Sequence, residues 1–159
     1  MILQKKNAKD KCVEQILLSE YDRYFRLAMS FVHNESDAGD IVQNGAYKAI
    51  KGSHTLKNAE YAATWVYRIM LNEIFRFCKT PQHVPLEEIG ESGYEDAYED
   101  FDLQKALDSL SKEDKAVVEL RYFEDLKLEE IGEILQENVN TVKSRLYRSV
   151  KKLRIKLEE

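Results

Sequence analysis

The sequence predicts an all-α protein: two small helical domains joined by an acidic flexible linker, the C-terminal one carrying a helix-turn-helix. Three observations predict it. Apolar residues recur at steps of three or four along most of the 159 residues, and no stretch alternates as a strand would. The segment from Thr80 to Asp102 interrupts that spacing. It holds both prolines, two glycines, eight of the 29 acidic residues and no Lys or Arg. Beyond it, a short helical pattern, a turn and a longer basic helix are the parts of a helix-turn-helix. The expected domains are therefore 1–79 and 103–159, with the linker at 80–102.

The first helix is expected from Lys11 to Val32, with Val13, Ile16, Leu17, Tyr21, Phe25, Ala28 and Phe31 or Val32 on one side. His33-Asn-Glu-Ser36 interrupts it. Ser36 or Asp37 can cap a second helix whose inner face carries Ala38, Ile41, Val42, Gly45 or Ala46, and Ala49. Gly52 is placed to end that helix and to open a polar loop reaching Asn58. A third helix is expected from Ala59 to Cys78, and Pro81 and Pro85 stop any continuation. Within the linker, Tyr94, Tyr98 and Phe101 are spaced among the acidic residues, a pattern able to dock on a basic surface. Leu103 to Leu110 resumes helical spacing. Ser111-Lys-Glu-Asp114 resembles a capping box for a helix with Val117, Val118, Leu120 and Tyr122. After a break near Glu124-Asp125, Leu128 to Leu135 forms about two helical turns. Gln136 to Val139 is the turn before the basic helix.

That last helix separates into two faces. Val142, Leu146, Val150, Leu153 and Leu157 form an apolar stripe. Asn140, Thr141, Lys143, Ser144, Tyr147, Arg148 and Lys151 lie away from it, and Arg145 adds a further cation. From Lys143 to Lys156 there are seven Lys or Arg and no acidic residue. A helix that docks by one face and offers amide, hydroxyl, phenol and cations by the other suits a DNA major groove. The net charge of −5 does not oppose this. With the acidic linker set aside, 21 acidic residues face 24 basic ones. The third helix carries a different constellation. Tyr61, Trp65, Arg68, Asn72, Phe75, Arg76 and Lys79 share a face on which unstacked bases can lie on rings while cations hold the backbone.

Other classes fit poorly. Two cysteines, Cys12 and Cys78, cannot build a disulfide framework or a four-ligand metal site, and no two of His33, His54 and His83 have ligand spacing. No Gly-rich phosphate loop or nucleophile–base pairing is present, so neither an enzyme nor a cofactor or metal is expected. The apolar run at the N-terminus is too short for a signal peptide, and no segment approaches membrane-spanning length, so a cytoplasmic protein is expected. A stand-alone regulator with a helix-turn-helix and a helical sensor domain is the competing reading. It would bind duplex DNA tightly by itself.

The string from Ala106-Leu-Asp-Ser-Leu-Ser through Leu120-Arg-Tyr-Phe and Leu128–Leu135 to Thr141-Val-Lys-Ser-Arg-Leu-Tyr-Arg148 resembles the promoter-binding C-terminal domain of sigma-70 family factors. These are initiation subunits of bacterial RNA polymerase. The resemblance implies that this domain reads the minus-35 promoter element and touches the polymerase flap. Lys143, Ser144, Tyr147 and Arg148 match positions that face DNA in the family. Ser36-Asp-Ala-Gly-Asp-Ile-Val-Gln43 is similar to the family's acidic polymerase-binding motif, so Asp37, Asp40 and Gln43 would face core polymerase. Trp65-Val-Tyr-Arg-Ile-Met-Leu-Asn72 looks like the segment that grips the melted, single-stranded minus-10 element, with Asn72 near the flipped-out base. The compact two-domain plan resembles the extracytoplasmic-function (ECF) type. Factors of that type imply an anti-sigma partner, frequently membrane-bound, and no small-molecule substrate or membrane insertion of their own. This chain departs from the pattern at Gly39, where an acidic residue is frequent, and at Gln136, often glycine. Glu137 replaces an apolar turn residue, and Leu71 and Arg76 stand where Arg and Asp are common.

Overall fold

A computed structural model of the chain describes residues 8–79 and 97–158, the second stretch with side chains from 102 onward. The rest of the expected linker, with Pro81, His83, Pro85 and Tyr94, lies outside the described residues, as do the side chains of Tyr98 and Phe101. Every regular element among the described residues is helical. They fall into two compact units, the first carrying three helices together with residues 133–136 and the second carrying the remainder as far as Gly132 and again from Glu137.

In the first unit α1 (Ala8–Val32), α2 (Glu35–Gly52) and α3 (Ala62–Lys79) pack on one another as a three-helix bundle. The inner face of α2 is the expected one: Ala38, Ile41, Val42, Gly45 and Ala49 are buried. That of α1 is rotated from the expectation. Tyr24 and Leu27 are buried with Val13, Leu17 and Ala28, whereas Tyr21 is exposed and stacks on Phe25 at a centroid distance of 6.3 Å. Both sets satisfy helical spacing, and Tyr24 is selected by an edge-on contact with Tyr67 of α3 at 5.2 Å. The cap of α2 is Asn34, not Ser36 or Asp37. His33 turns the chain with φ 54°, Asn34 is extended, and its side chain accepts the Asp37 N–H at 2.9 Å. Gly52 ends α2 with φ −94°, so the chain runs directly into a tight helical turn, Ser53–Thr55, without a left-handed cap.

One position in α2 has room to spare. A Cβ at Gly39 would meet nothing within 4 Å. Gly39→Ala is therefore expected to raise the stability of this unit by about 1 kcal/mol through backbone entropy alone. Urea unfolding followed by Trp65 fluorescence checks this, since Trp65 is the chain's single tryptophan.

The second unit contains α4 (Ala97–Asp108), α5 (Lys112–Val118) with a wider π turn at Glu119–Phe123, α6 (Leu128–Leu135) as far as Gly132, and α7 (Val139–Glu158). Helix α4 starts inside the expected linker. An acidic composition marks a segment as polar and does not exclude a helix, so the run continues into α4. Ser111 caps α5 as expected, its hydroxyl accepting the Asp114 N–H at 3.2 Å. Asp125, with φ 56°, marks the break before α6. The core holds Ala106, Leu107, Leu110, Ala116, Val117, Val118, Leu120, Ile131, Val142, Leu146 and Leu153. Two details of the α7 stripe differ from expectation. Leu157 is exposed, and Ser149 is fully buried whereas its neighbour Val150, expected in the stripe, is only half-buried.

The turn between α6 and α7 is tight. Gln136 adopts φ 56°, the left-handed conformation that favours glycine and costs other residues about 1 kcal/mol. The Glu137 N–H donates to the Gly132 carbonyl at 2.9 Å. A Cβ at Gly132 would stand 2.9 Å from the Glu137 carbonyl oxygen, so the turn can close this far only over glycine. Asn138 starts α7, accepting the Asn140 N–H on its side chain at 2.8 Å and the Val142 N–H on its carbonyl at 3.1 Å.

Candidate nucleic-acid interfaces

Helix α7 presents the anticipated face. Its buried stripe turns Asn140, Thr141, Lys143, Ser144, Tyr147, Arg148 and Lys151 to solvent, and Tyr147 is 70% exposed. Arg145 does not belong with them. Its guanidinium donates to both carboxylate oxygens of Glu137, at 3.0 and 3.2 Å, and to Asp114 Oδ1 at 3.1 Å. Burial alone would lower the Arg145 pKa. The Glu137 charge and the Asp114 hydrogen bond outweigh it, and the guanidinium ends above its ordinary value. Arg145 thus joins the turn and α5 to α7 with three of its five donors. In the free protein these bonds hold Arg145 against the two carboxylates, apart from the exposed cations of the face. Arg148, more than half exposed, makes one bond to the same Asp114 oxygen at 3.3 Å.

Sequence reasoning missed Asp114 and Glu137 as parts of this site. Asp114 was legible only as a helix-capping residue, and Glu137 only as a departure in the turn. Their common partner becomes visible once α5 and α7 are packed together.

Helix α3 supplies the second face. Ala62, Val66, Tyr67, Met70, Leu71 and Ile74 are buried. Tyr61, Asn72, Arg76 and Lys79 are exposed, while Trp65, Arg68 and Phe75 are half-buried. The Phe75 ring packs edge-on against Phe31 of α1 at 6.1 Å, which ties it into the bundle on one side. Trp65 lies across Gly52, its ring carbons 3.5 and 3.6 Å from where a Cβ at 52 would stand. The loop between α2 and α3 is pinned at both ends. Ser53 is buried and bonded to Asp10 of α1, Leu56 is buried, and Asn58 caps the short Ala59–Tyr61 turn through the Glu60 N–H at 3.0 Å. His54, Thr55, Lys57 and Asn58 remain exposed between these anchors.

On α2, Asp40 and Gln43 are exposed and Asp37 is half-buried, opposite the buried Ala38, Ile41 and Val42. Among the described residues no group of His, Cys, Asp and Glu could hold a metal ion, and no helix is long and apolar enough to cross a membrane.

Residues 17–83 match the family profile "Sigma-70 region 2", and residues 100–153 match "Sigma-70, region 4". The chain is also 39% identical to RNA polymerase sigma factor SigV of Bacillus subtilis over 98% of its length and 96% of that protein's. The chain belongs to the sigma-70 family. Its relatives place it among the ECF sigma factors, which are initiation factors and not enzymes. The sigma-E factor of Streptomyces coelicolor is 30% identical over 91% of this chain and 85% of its own. ECF sigma factor SigW of Bacillus subtilis is 28% identical over 87% of this chain and 84% of its own. Two solved structures share the fold. RpoE of Bartonella quintana, solved with the anti-sigma factor NepR, superposes with a TM-score of 0.72 at 22% identity, covering 91% of this chain and 96% of that one. CnrH, solved with the cytosolic domain of CnrY, gives a TM-score of 0.75 at 20% identity, covering 92% and 87%.

Proposed function

We propose that this sigma factor binds core RNA polymerase, directs it to specific promoters and helps to melt the minus-10 element. In this reading residues 1–79 bind polymerase and the minus-10 strand, 80–102 link, and 103–159 read the minus-35 element. The observation that carries it is the exposed polar face of α7, where Asn140, Thr141, Lys143, Ser144, Tyr147, Arg148 and Lys151 stand opposite the buried Val142, Leu146 and Leu153. Such a face holds phosphates with its cations and reads base edges with its polar groups. The α3 face supports the melting step, with Tyr61, Trp65, Arg68, Asn72, Arg76 and Lys79 as its contact residues. Capture of unpaired bases on rings offsets the cost of unpairing them. Asp37, Asp40 and Gln43 on α2 are the contacts to core polymerase. The partners are core polymerase, promoter DNA and an anti-sigma factor, in line with the partner protein of RpoE, and the site of action is the cytoplasm.

Run-off transcription with core polymerase, followed by mapping of start sites, tests the whole reading. Transcription from no promoter, with tight duplex binding by the chain alone, would overturn it. Separated variants test its parts. Lys143→Ala with Arg148→Ala is expected to lower minus-35-dependent initiation about tenfold or more and to leave core binding unchanged. Asp40→Ala with Gln43→Ala is expected to weaken retention on core polymerase and to spare the α7 face. Equal loss of both activities in both variants would void the assignment.

A further inference from the structure

Arg148 is the cation of the α7 face whose orientation is set from inside the protein. Its partner, Asp114, is 3% exposed and fixed in the first turn of α5, where the helix dipole favours a carboxylate and the Ser111 hydroxyl takes its N–H. One oxygen, Oδ1, accepts from Arg145 at 3.1 Å and from Arg148 at 3.3 Å. The two arginines use it differently. Arg145 is also clasped by Glu137 through two bonds, so it is seated with or without Asp114. Arg148 has only the Asp114 bond among those resolved, through one terminal nitrogen, and its side chain is 55% exposed. A guanidinium carries five donors in a rigid plane, so one anchored nitrogen fixes that plane while leaving donors for a ligand.

We infer that the Asp114 carboxylate is a positioning residue for promoter recognition: it sets the Arg148 guanidinium in the orientation that reads a minus-35 base pair. The inference rests on the reading of α7 as the minus-35 face and deepens it. A free arginine would have to order its side chain on binding and could point to a neighbouring phosphate as readily as to a base. Held at one end, it arrives with its bidentate edge already directed, which favours discrimination over general affinity. Asp114 itself is buried and touches no DNA in this account.

The test uses holoenzyme formed from the full chain and core polymerase, on promoters with a constant minus-10 element and all single-base variants of the minus-35 element. Arg148→Ala is expected to lose about tenfold of discrimination at one or two base pairs. Asp114→Asn is expected to lose it at the same base pairs and to retain it elsewhere. The double variant should be no worse than Arg148→Ala alone. Asp114→Glu keeps the charge but moves the anchoring oxygen by one methylene. It is expected to lose discrimination at those base pairs and not at the others, whatever its thermal midpoint, whereas a merely structural carboxylate would weaken all minus-35 sequences alike as stability falls. Additive losses, or a uniform weakening across all minus-35 sequences in both Asp114 variants, would overturn the inference and leave the α7 reading standing. Full discrimination in Arg148→Ala would overturn both.

Discussion

Replacing Lys48 by methionine is expected to destabilise the α1–α3 bundle by about 3 kcal/mol. Glu73 lies on the inner side of α3 with its side chain only 9% exposed, and Lys48 of α2 reaches over to form an ion pair with it. The ammonium stem is 46% exposed, so the pair sits at the rim of the core and water screens part of the attraction. The cost of Lys48→Met is therefore set mainly by the carboxylate left behind, which keeps its burial and loses this cation. The expected value belongs at the low end of the range for breaking buried pairs. For a unit of this size it is a large part of the total stability. Lys48→Met combined with Glu73→Leu removes both charges and is expected to recover most of the loss. Urea unfolding followed by Trp65 fluorescence reads this bundle directly. A midpoint within about 0.5 kcal/mol of the parent for Lys48→Met would show that the pair contributes nothing.

Much of the fold was legible because its strongest signals are local. Ser111 three residues before Asp114 announces a cap, and Ser111 is the cap. Leu128 to Leu135 was bounded correctly because a break precedes it and polar turn residues follow. The misses share one cause: local rules allow several answers and packing selects one. Asn34, Ser36 and Asp37 can all cap a helix, and the left-handed turn at His33 decides for Asn34. Tyr21 with Phe25 and Tyr24 with Leu27 both fit a helical stripe, and the Tyr67 ring across the bundle decides for the second. Phe75 reads as a stacking surface, and Phe31, 44 positions earlier, is brought against one side of it. The candidate site follows the same logic. Exposed residues of α7 were readable from the stripe opposite them. Arg145 lies on the shoulder between the two faces, where periodicity carries no information, and its role depends on a carboxylate 31 residues away.

Arg145→Ala is accordingly expected to destabilise the second unit by about 3 kcal/mol, with loss of minus-35 recognition as a consequence of that and not of a missing DNA contact. The guanidinium makes three bonds to two carboxylates, and Asp114 is nearly inaccessible to water. Without Arg145, Asp114 keeps only the exposed Arg148 at 3.3 Å, and Glu137 no longer ties the turn to α7. That turn already holds Gln136 in a left-handed conformation over Gly132, so it has strain to release when the tie is cut. The pH dependence separates this role from a titrating one. A cation whose folded pKa lies above its unfolded value contributes stability that is complete below the unfolded pKa and lost only as pH rises through the folded one. For Arg145 that window lies at extreme alkaline pH, so the deficit in Arg145→Ala is expected to be constant from about pH 6 to about pH 9. Arg148→Ala provides the contrast: little change in the unfolding midpoint read by circular dichroism, and a loss of minus-35 discrimination. If Arg145→Ala unfolds like the parent while losing discrimination as Arg148→Ala does, Arg145 belongs on the DNA face after all, and the carboxylates that hold it in the free protein must release it when DNA binds.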